Sequence, residues 1–311
     1  MKMTSPRPVI SLKGLTKHYG RFRGVEELDL EVYAGEIFGF LGPNGAGKTT
    51  TIRILNGLLR PNRGSALILG LDSWKDSVLI ASKVGYQPDV GGIYGEMTGH
   101  EFLDYMGGLD GTASVLRSEL CDLLALNDRD LGRGIKGYSK GMRQKLMIVQ
   151  ALQHDPDLVM MDEPTEGLDP LMQEALFQIL LSFRAKGRTI FFSSHILSEV
   201  ERLCDRVGFI REGKLVAVEE IEELRSKRRR KLVITLATDQ ELSPLELPGV
   251  INMTREGRQV RMLFQGETNR LLRALAQLNV EDFTFEQLHL EDIFLEYYRP
   301  EAHKGDGKGL P

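Results

Sequence analysis

The chain has 311 residues and is 41% hydrophobic, a composition that suits one large domain with a smaller one beside it. Its formal net charge is −4, which argues against a bulk nucleic-acid binder, so we expect no nucleic-acid partner. Cys121 and Cys204 match no metal or redox spacing and predict two buried thiols in a reducing compartment. The sequence predicts neither a signal peptide nor a membrane span, because it shows no apolar leader and no apolar run of about 18 residues.

A glycine-rich loop follows the first predicted strands. Residues 9–34 alternate in short apolar and polar bursts, which predicts antiparallel strands, and the apolar run 37–41 predicts a further strand. Residues 42–49 then read G-P-N-G-A-G-K-T, which fits the phosphate-binding pattern G-x-x-x-x-G-K-[ST]. A helical pattern follows at 50–55. This strand–loop–helix context predicts that the chain binds a nucleoside triphosphate.

The loop residues have distinct expected roles. Gly42, Gly45 and Gly47 are expected to take backbone angles that a Cβ would forbid, so that the loop N–H groups point at a phosphate. Lys48 should reach the β- and γ-phosphates, and the Thr49 hydroxyl should bind Mg²⁺. The loop residues predicted at the nucleotide are Gly42, Pro43, Asn44, Gly45, Ala46, Gly47, Lys48, Thr49 and Thr50.

Helical and strand patterns alternate after the loop. Apolar residues at helical spacing predict helices within 100–127, 141–153 and 170–185. An uninterrupted apolar run at 158–161 predicts a buried parallel strand, and residues 189–192 (T-I-F-F) predict another. This alternation predicts an α/β fold with a layered sheet.

Asp162 and Glu163 come directly after the apolar run at 158–161. A buried strand that ends in two carboxylates places both at its C-terminal tip, where α/β sheets bind ligands. Asp162 can hold the Mg²⁺ shell through a water, and Glu163 can polarise a water. An isolated Asp-Glu pair is often a solvated loop, but the phosphate-binding loop earlier in the chain favours a catalytic interpretation.

The composition changes at residues 225–231, which read R-S-K-R-R-R-K. This basic run is compatible with a solvated linker, with contact to anionic lipid headgroups, or with nucleic acid. Residues 221–300 predict a small α+β domain, near the size at which a separate core is marginal, and residues 301–311 predict a flexible tail. The predicted elements are strands at 232–237, 258–264 and near 282–286, and helices at 268–278 and 290–298.

Five segments carry recognisable motifs: Gly42–Thr49, Tyr138–Lys145 (Y-S-K-G-M-R-Q-K), Leu158–Pro164 (L-V-M-M-D-E-P), Glu166–Pro170 (E-G-L-D-P) and Phe191–His195 (F-F-S-S-H). In order and spacing they resemble the motif set of ABC-type ATPase cassettes over about residues 9–220. Residues 221–300 are similar to the C-terminal extension of ATPase subunits in ABC-2-type exporters of drugs, lipids or ions.

The resemblance implies a fold and its division into domains. The expected fold is an ABC-type P-loop ATPase with a RecA-like core, an antiparallel β subdomain and a helical subdomain, plus a small α+β C-terminal domain. The nucleotide-binding domain would span residues 1–220, with the helical subdomain at about 90–155.

The segment 138–142 occupies the signature position, which usually reads L-S-G-G-Q. Lys140 replaces a glycine and Met142 replaces the glutamine. In the family this segment reaches across a dimer to the γ-phosphate bound by the other chain, so Ser139, Lys140, Gly141 and Met142 are expected to contact ATP in trans. Ser139 also fits an ordinary helix N-cap, and both roles can hold at once.

Two further positions match the family. Asp169 corresponds to the D-loop at the dimer seam, and it also fits a helix N-cap before Pro170. His195 corresponds to the switch histidine, which hydrogen-bonds the γ-phosphate. The resemblance thus implies three catalytic residues, namely Lys48, Glu163 and His195.

Tyr19 and the Q-loop complete the expected site. Tyr19 lies where the family places an aromatic ring on adenine, although it also suits a structural tyrosine in a strand. Two residues remain open for the Q-loop role, which is to approach Mg²⁺ and the attacking water. Gln87 comes two residues early, and Asp89 stands where many relatives have glutamine.

The resemblance implies an ATP-hydrolysing motor subunit that uses ATP and Mg²⁺, forms a homodimer through its nucleotide sites and drives a separate membrane permease. Such a subunit would lie peripherally at the cytoplasmic face of the cell membrane. The alternative is a soluble ABC-type ATPase of DNA repair, translation or iron–sulfur assembly. A binding-only regulator is a third possibility, which the intact Asp162-Glu163-Pro164 and His195 disfavour. The sequence does not indicate the transported substrate.

Overall fold

The computed structural model describes residues 7–89, 95–109, 111, 113–226 and 230–287. The chain divides into two compact units, Met1–Ile221 and Glu222–Pro311. No helix in the described ranges is both long enough and apolar enough to cross a bilayer.

The first unit contains strands and helices in alternation. In chain order they are β1 (Pro8–Tyr19), β2 (Phe22–Tyr33), β3 (Ile37–Leu41), α1 (Lys48–Leu55), β4 (Arg63–Ile68), β5 (Leu71–Asp72), α2 (Ser77–Ala81), β6 (Val84–Gln87), α3 (Gly99–Leu109), α4 (Arg117–Leu123), α5 (Asp128–Leu131), α6 (Lys140–Leu152), β7 (Leu158–Asp162), α7 (Pro170–Ala185), β8 (Thr189–Ser194), α8 (Leu197–Leu203), β9 (Arg206–Arg211) and β10 (Lys214–Glu220).

The central sheet has the strand order β10-β9-β3-β8-β7-β6 among the described residues. Its strands β3, β6, β7, β8 and β9 run parallel, and only β10 pairs antiparallel. Every residue of β3, β7 and β8 is buried, which explains why these strands are mostly apolar and do not alternate with polar residues. The predicted buried parallel strands at 158–161 and 189–192 are therefore confirmed.

The register of this sheet brings the motifs together. Leu41 pairs with Ser194, and Asp162 pairs with Ser193. The carboxyl ends of β3, β7 and β8 therefore meet at one edge, where ligands bind in sheets of this kind.

A second sheet, of order β2-β1-β4-β5, is antiparallel and supplies the predicted strands at 9–34. Its buried face joins a core with residues of β3, α1 and β7. Between β6 and β7 the chain forms α3, α4, α5 and α6, so a helical region is present where one was expected. The predicted helix at 141–153 is confirmed as Lys140–Leu152, and the helix at 170–185 as Pro170–Ala185.

The second unit begins within α9 (Ile221–Ser226), which spans the boundary between the units. It contains β11 (Arg230–Leu236), β12 (Val250–Glu256), β13 (Gln259–Phe264), α10 (Thr268–Leu275) and β14 (Val280–Gln287). The strand order is β12-β13-β11-β14, and all pairs are antiparallel. Val260, Met262 and Phe264 are buried together, as their alternation predicted. The predicted helix at 290–298 and the tail at 301–311 lie outside the described residues.

Candidate nucleotide site

The phosphate-binding loop connects β3 to α1. Gly45 and Gly47 have φ angles of 78° and 110°, and a Cβ on Gly47 would lie 2.6 Å from the carbonyl oxygen of Gly24. Gly42 does not have a left-handed φ, so the expectation for its backbone angle is wrong. It is required for space instead, because a Cβ there would lie 2.4 Å from the carbonyl oxygen of Ile210.

Lys48 begins α1, and its side chain is buried inside the loop. Its Nζ atom donates to the carbonyl oxygens of Gly42, at 2.6 Å, and Pro43, at 3.1 Å. The same atom lies 3.1 Å from Oε1 of Glu163 in an ion pair. The loop therefore holds a cation next to the carboxylate of Glu163, which directly follows β7, in the position where a phosphate needs a positive charge.

Asp162 lies at the end of β7 and is almost fully buried. The Ser193 hydroxyl donates to its Oδ1 atom at 2.6 Å. Burial raises the pKa of Asp162, while the hydroxyls of Ser193 and Thr49 oppose that rise. Among the described residues its Oδ2 atom accepts no well-formed hydrogen bond. A buried carboxylate oxygen without a partner, beside the hydroxyl of Thr49, fits the oxygen ligands that Mg²⁺ prefers.

Glu163 is fixed both through its carboxylate and through its backbone. Its φ angle is 49°, which is uncommon for a residue with a Cβ. Nδ1 of His195 lies 2.9 Å from its Oε2 atom, so the carboxylate is placed between His195 and Lys48. The Glu163 N–H donates to Oγ of Ser193 at 3.1 Å, and its carbonyl oxygen accepts from Nε2 of Gln144 at 3.3 Å.

A cavity of about 360 Å³ lies over the loop. Tyr19 and Asp89 belong to its lining, and Oη of Tyr19 is 3.4 Å from Oγ1 of Thr50. Arg23, which lies in no sequence motif, also lines it, and so does Glu166, which begins the segment Glu166–Pro170 but had no expected role at the site. The full lining is Tyr19, Arg23, Gly24, Asn44, Gly45, Gly47, Lys48, Thr49, Thr50, Asp89, Glu163 and Glu166.

The two Q-loop candidates occupy different places. Gln87 is fully buried, and its Nε2 atom lies 2.5 Å from the carbonyl oxygen of Pro88 and 3.5 Å from that of Asp162. Asp89 instead lines the cavity. Gln87 thus contacts the backbone at the end of β7, whereas Asp89 borders the space above the loop.

The signature and D-loop residues do not line this cavity. Ser139 is the N-cap of α6 and accepts from the Met142 N–H at 3.2 Å. Asp169 is the N-cap of α7 and accepts from the Met172 N–H at 3.0 Å. The helix-cap interpretation is therefore confirmed for both residues, and it leaves their roles in trans untested.

Lys140 connects the signature to the cavity. It is the first residue of α6, and its φ is not positive, so the backbone accepts a Cβ at this position. Its Nζ atom forms an ion pair with the carboxylate of Glu166, which lines the cavity.

Three buried polar residues were missed by the sequence analysis. Ser193 contacts both Asp162 and Glu163, and Gln144 contacts the Glu163 carbonyl. Glu199 accepts from the Ser194 hydroxyl at 2.6 Å, and its burial raises its pKa against the opposing hydroxyls of Ser194 and Thr165. Ser193 had a usable signal, because it is a polar residue at the end of the strand next to β7. Gln144 and Glu199 had none, since each is a polar residue within a helix.

The chain matches known proteins over both units. Residues 25–166 match the family described as ABC transporter, and residues 220–298 match the family described as ATP-binding protein DrrA1-3-like, C-terminal domain. An uncharacterised ABC transporter ATP-binding protein of Nostoc is 44% identical over 70% of this chain, and the match spans only 62% of that relative. The daunorubicin/doxorubicin resistance ATP-binding protein of Streptomyces peucetius is 34% identical over 94% of this chain and 93% of its own length. A solved ATP-binding subunit of an ABC transporter is 32% identical, with a TM-score of 0.65 over 70% of this chain and 92% of that one.

Proposed function

The chain belongs to the ABC transporter family of ATPases, and we propose that it is the motor subunit of an exporter whose permease is a separate membrane protein. The similarity to a drug-resistance ATP-binding protein over nearly its whole length supports this proposal. The match of residues 220–298 to a C-terminal domain of that group favours it over the soluble ABC ATPases. We accordingly propose residues 1–220 as the nucleotide-binding domain and residues 221–300 as an assembly or regulatory domain.

The observation that carries the proposal is the carboxylate of Glu163 between Lys48 and His195. Phosphoryl transfer from ATP depends mainly on positioning and electrostatics, because negative charge is spread over the γ-phosphoryl oxygens. We infer that Lys48 binds the phosphates, that Glu163 orients a water and takes its proton, and that His195 contacts the γ-phosphate. Bound Mg²⁺, held by Thr49 and through water by Asp162, would neutralise charge on the β- and γ-phosphates.

The placement of the signature supports a homodimer. Ser139, Met142 and Asp169 do not line the cavity of their own chain, so their expected contact with ATP calls for a second copy. In such a dimer Ser139 and the N–H groups at the start of α6 would meet the γ-phosphate bound by the partner chain, where the helix N-terminus adds positive potential.

A groove of about 610 Å³ in the first unit supports the proposal that a permease binds this chain. Its lining includes Val78 and Leu79 of α2 and Phe102 of α3, and Val78 and Leu79 are largely exposed. Exposed apolar surface of this kind suits a protein partner. Tyr86 and Pro88 also line the groove and flank Gln87, which contacts the Asp162 carbonyl. We propose that a cytoplasmic segment of the permease docks here, which would hold the chain at the cytoplasmic face of the membrane.

The substitution Glu163→Gln tests the proposed role in hydrolysis. It should preserve ATP binding and reduce turnover by about 10²–10⁴-fold, which is the usual weight of a positioned general base. It should also accumulate an ATP-bound dimer, because hydrolysis no longer separates the subunits. Turnover, ATP affinity and light scattering with MgATP would be measured beside Glu119→Gln, an exposed carboxylate of α4. Near-normal turnover in Glu163→Gln would remove Glu163 from the catalytic role.

A further inference from the structure

Glu163 has an unusual backbone that the surrounding structure must hold. Its φ of 49° lies in the left-handed region, which residues with a Cβ occupy mainly when their neighbours fix them there. On the N-terminal side the Glu163 N–H is held by Ser193 of β8. On the C-terminal side the peptide is held by a residue of a different element.

That residue is Gln144, which lies in the second turn of α6 and is almost fully buried. Its Nε2 atom donates to the carbonyl oxygen of Pro164 at 2.7 Å and lies 3.3 Å from that of Glu163. Its Oε1 atom is buried and has no hydrogen-bond partner among the described residues. Burying an amide oxygen without a hydrogen-bond partner costs free energy. The hydrogen bonds that the Nε2 atom makes are therefore a reason to look for a role of Gln144.

The same helix begins at the signature. Lys140, its first residue, forms an ion pair with Glu166, three residues beyond Glu163. The segment from Glu163 to Glu166 is therefore fastened to α6 at two points, Gln144 and Lys140. A displacement of the first turns of α6 would be transmitted to the backbone that carries the Glu163 carboxylate.

We propose that Gln144 is a positioning residue for Glu163. It holds the left-handed peptide so that the carboxylate lies between Lys48 and His195. This proposal rests on the proposed function, in which Glu163 is the general base and the start of α6 contacts the nucleotide of the second chain. Gln144 then connects α6, whose start would make that contact, to the geometry of the base in its own subunit.

The full chain carrying Gln144→Met tests this inference, because methionine keeps the length of the side chain and removes the donor. We expect kcat to fall by roughly 10²-fold, the effect of misplacing a catalytic group. The KM for ATP and the affinity for ATP should change by less than about threefold. Gln144→Leu, which also removes the donor and has no group that could be protonated to replace it, should show the same loss of kcat and serves if the methionine variant does not fold.

A double variant separates positioning from general damage. In a Glu163→Gln background the carboxylate is already lost, so adding Gln144→Met should change the residual turnover by less than about twofold. The matched control is Thr189→Val, which removes a buried acceptor of the Gly35 N–H at the opposite end of β8. It should lower the melting temperature and preserve kcat.

Three results are distinguishable. Near-normal turnover in Glu163→Gln would overturn the proposed role of Glu163 and this inference with it. Low turnover in Glu163→Gln together with normal kcat in Gln144→Met would overturn this inference alone. Losses that multiply fully in the double variant would also overturn it, because they would show that Gln144 acts independently of Glu163.

Discussion

Nδ1 of His195 lies 2.9 Å from Oε2 of Glu163, and this contact joins the residues that follow two neighbouring parallel strands. The pairing of Asp162 with Ser193 fixes their spacing, since each residue comes shortly after that pair. His195 can thus orient the carboxylate of the proposed base through Nδ1, and this contact does not use its other ring nitrogen. We therefore expect His195 to position this carboxylate in addition to its expected contact with the γ-phosphate.

The substitution His195→Ala should therefore lower kcat by roughly 10²-fold and leave ATP affinity within a few-fold of wild type. The reason is that Glu163 loses one of the two groups that hold its carboxylate. Steady-state hydrolysis and equilibrium nucleotide binding would be compared with His100→Ala, in which the lost partner is Asp128 in the helical region. If His195→Ala and His100→Ala hydrolyse ATP equally well, His195 has no part in turnover.

The motifs that could be predicted from sequence are those in which chemistry and local structure coincide. The loop at Gly42–Thr49 and the pair Asp162-Glu163 each come directly after an apolar run, so the pattern gives both the strand and its end. The parallel register then brings the ends together, as α/β topology requires. These parts of the site needed no knowledge of distant contacts.

The missed features depend on contacts through space. Gln144 looks like any polar residue of an amphipathic helix, and only the fold shows that its amide meets the Glu163 peptide. Strand β12 was also missed, because its residues after Ile251 are exposed and do not alternate in polarity. Gly42 was assigned the wrong constraint, since the close approach of the Ile210 carbonyl comes from a strand far along the chain.

A second prediction concerns pH. Burial raises the pKa of Glu199 above its usual value of 4.5, so the folded chain holds a proton that the unfolded chain releases. The contribution of this group to stability is therefore fully present below that value and is lost as the pH rises through the folded pKa. Glu199→Gln removes the ionisation and can still accept from Ser194. The difference in melting temperature, variant minus wild type, should become more positive from pH 5 to pH 8. A difference that does not change with pH would contradict a raised pKa of Glu199 in the folded chain.

The last prediction concerns the shared site. Asn44 and Ser139 are both exposed, and in the proposed dimer they approach each other only across the interface. Chains carrying Asn44→Cys and chains carrying Ser139→Cys, both in a Glu163→Gln background, should therefore form a disulfide-linked dimer when mixed with ATP and an oxidant. Background reaction should be low, because Cys121 and Cys204 are buried and burial raises the pKa of both thiols. The control replaces ATP with ADP. Equal cross-linking with ATP and with ADP, or no cross-linking with ATP, would contradict a site that is completed by the signature of a second chain.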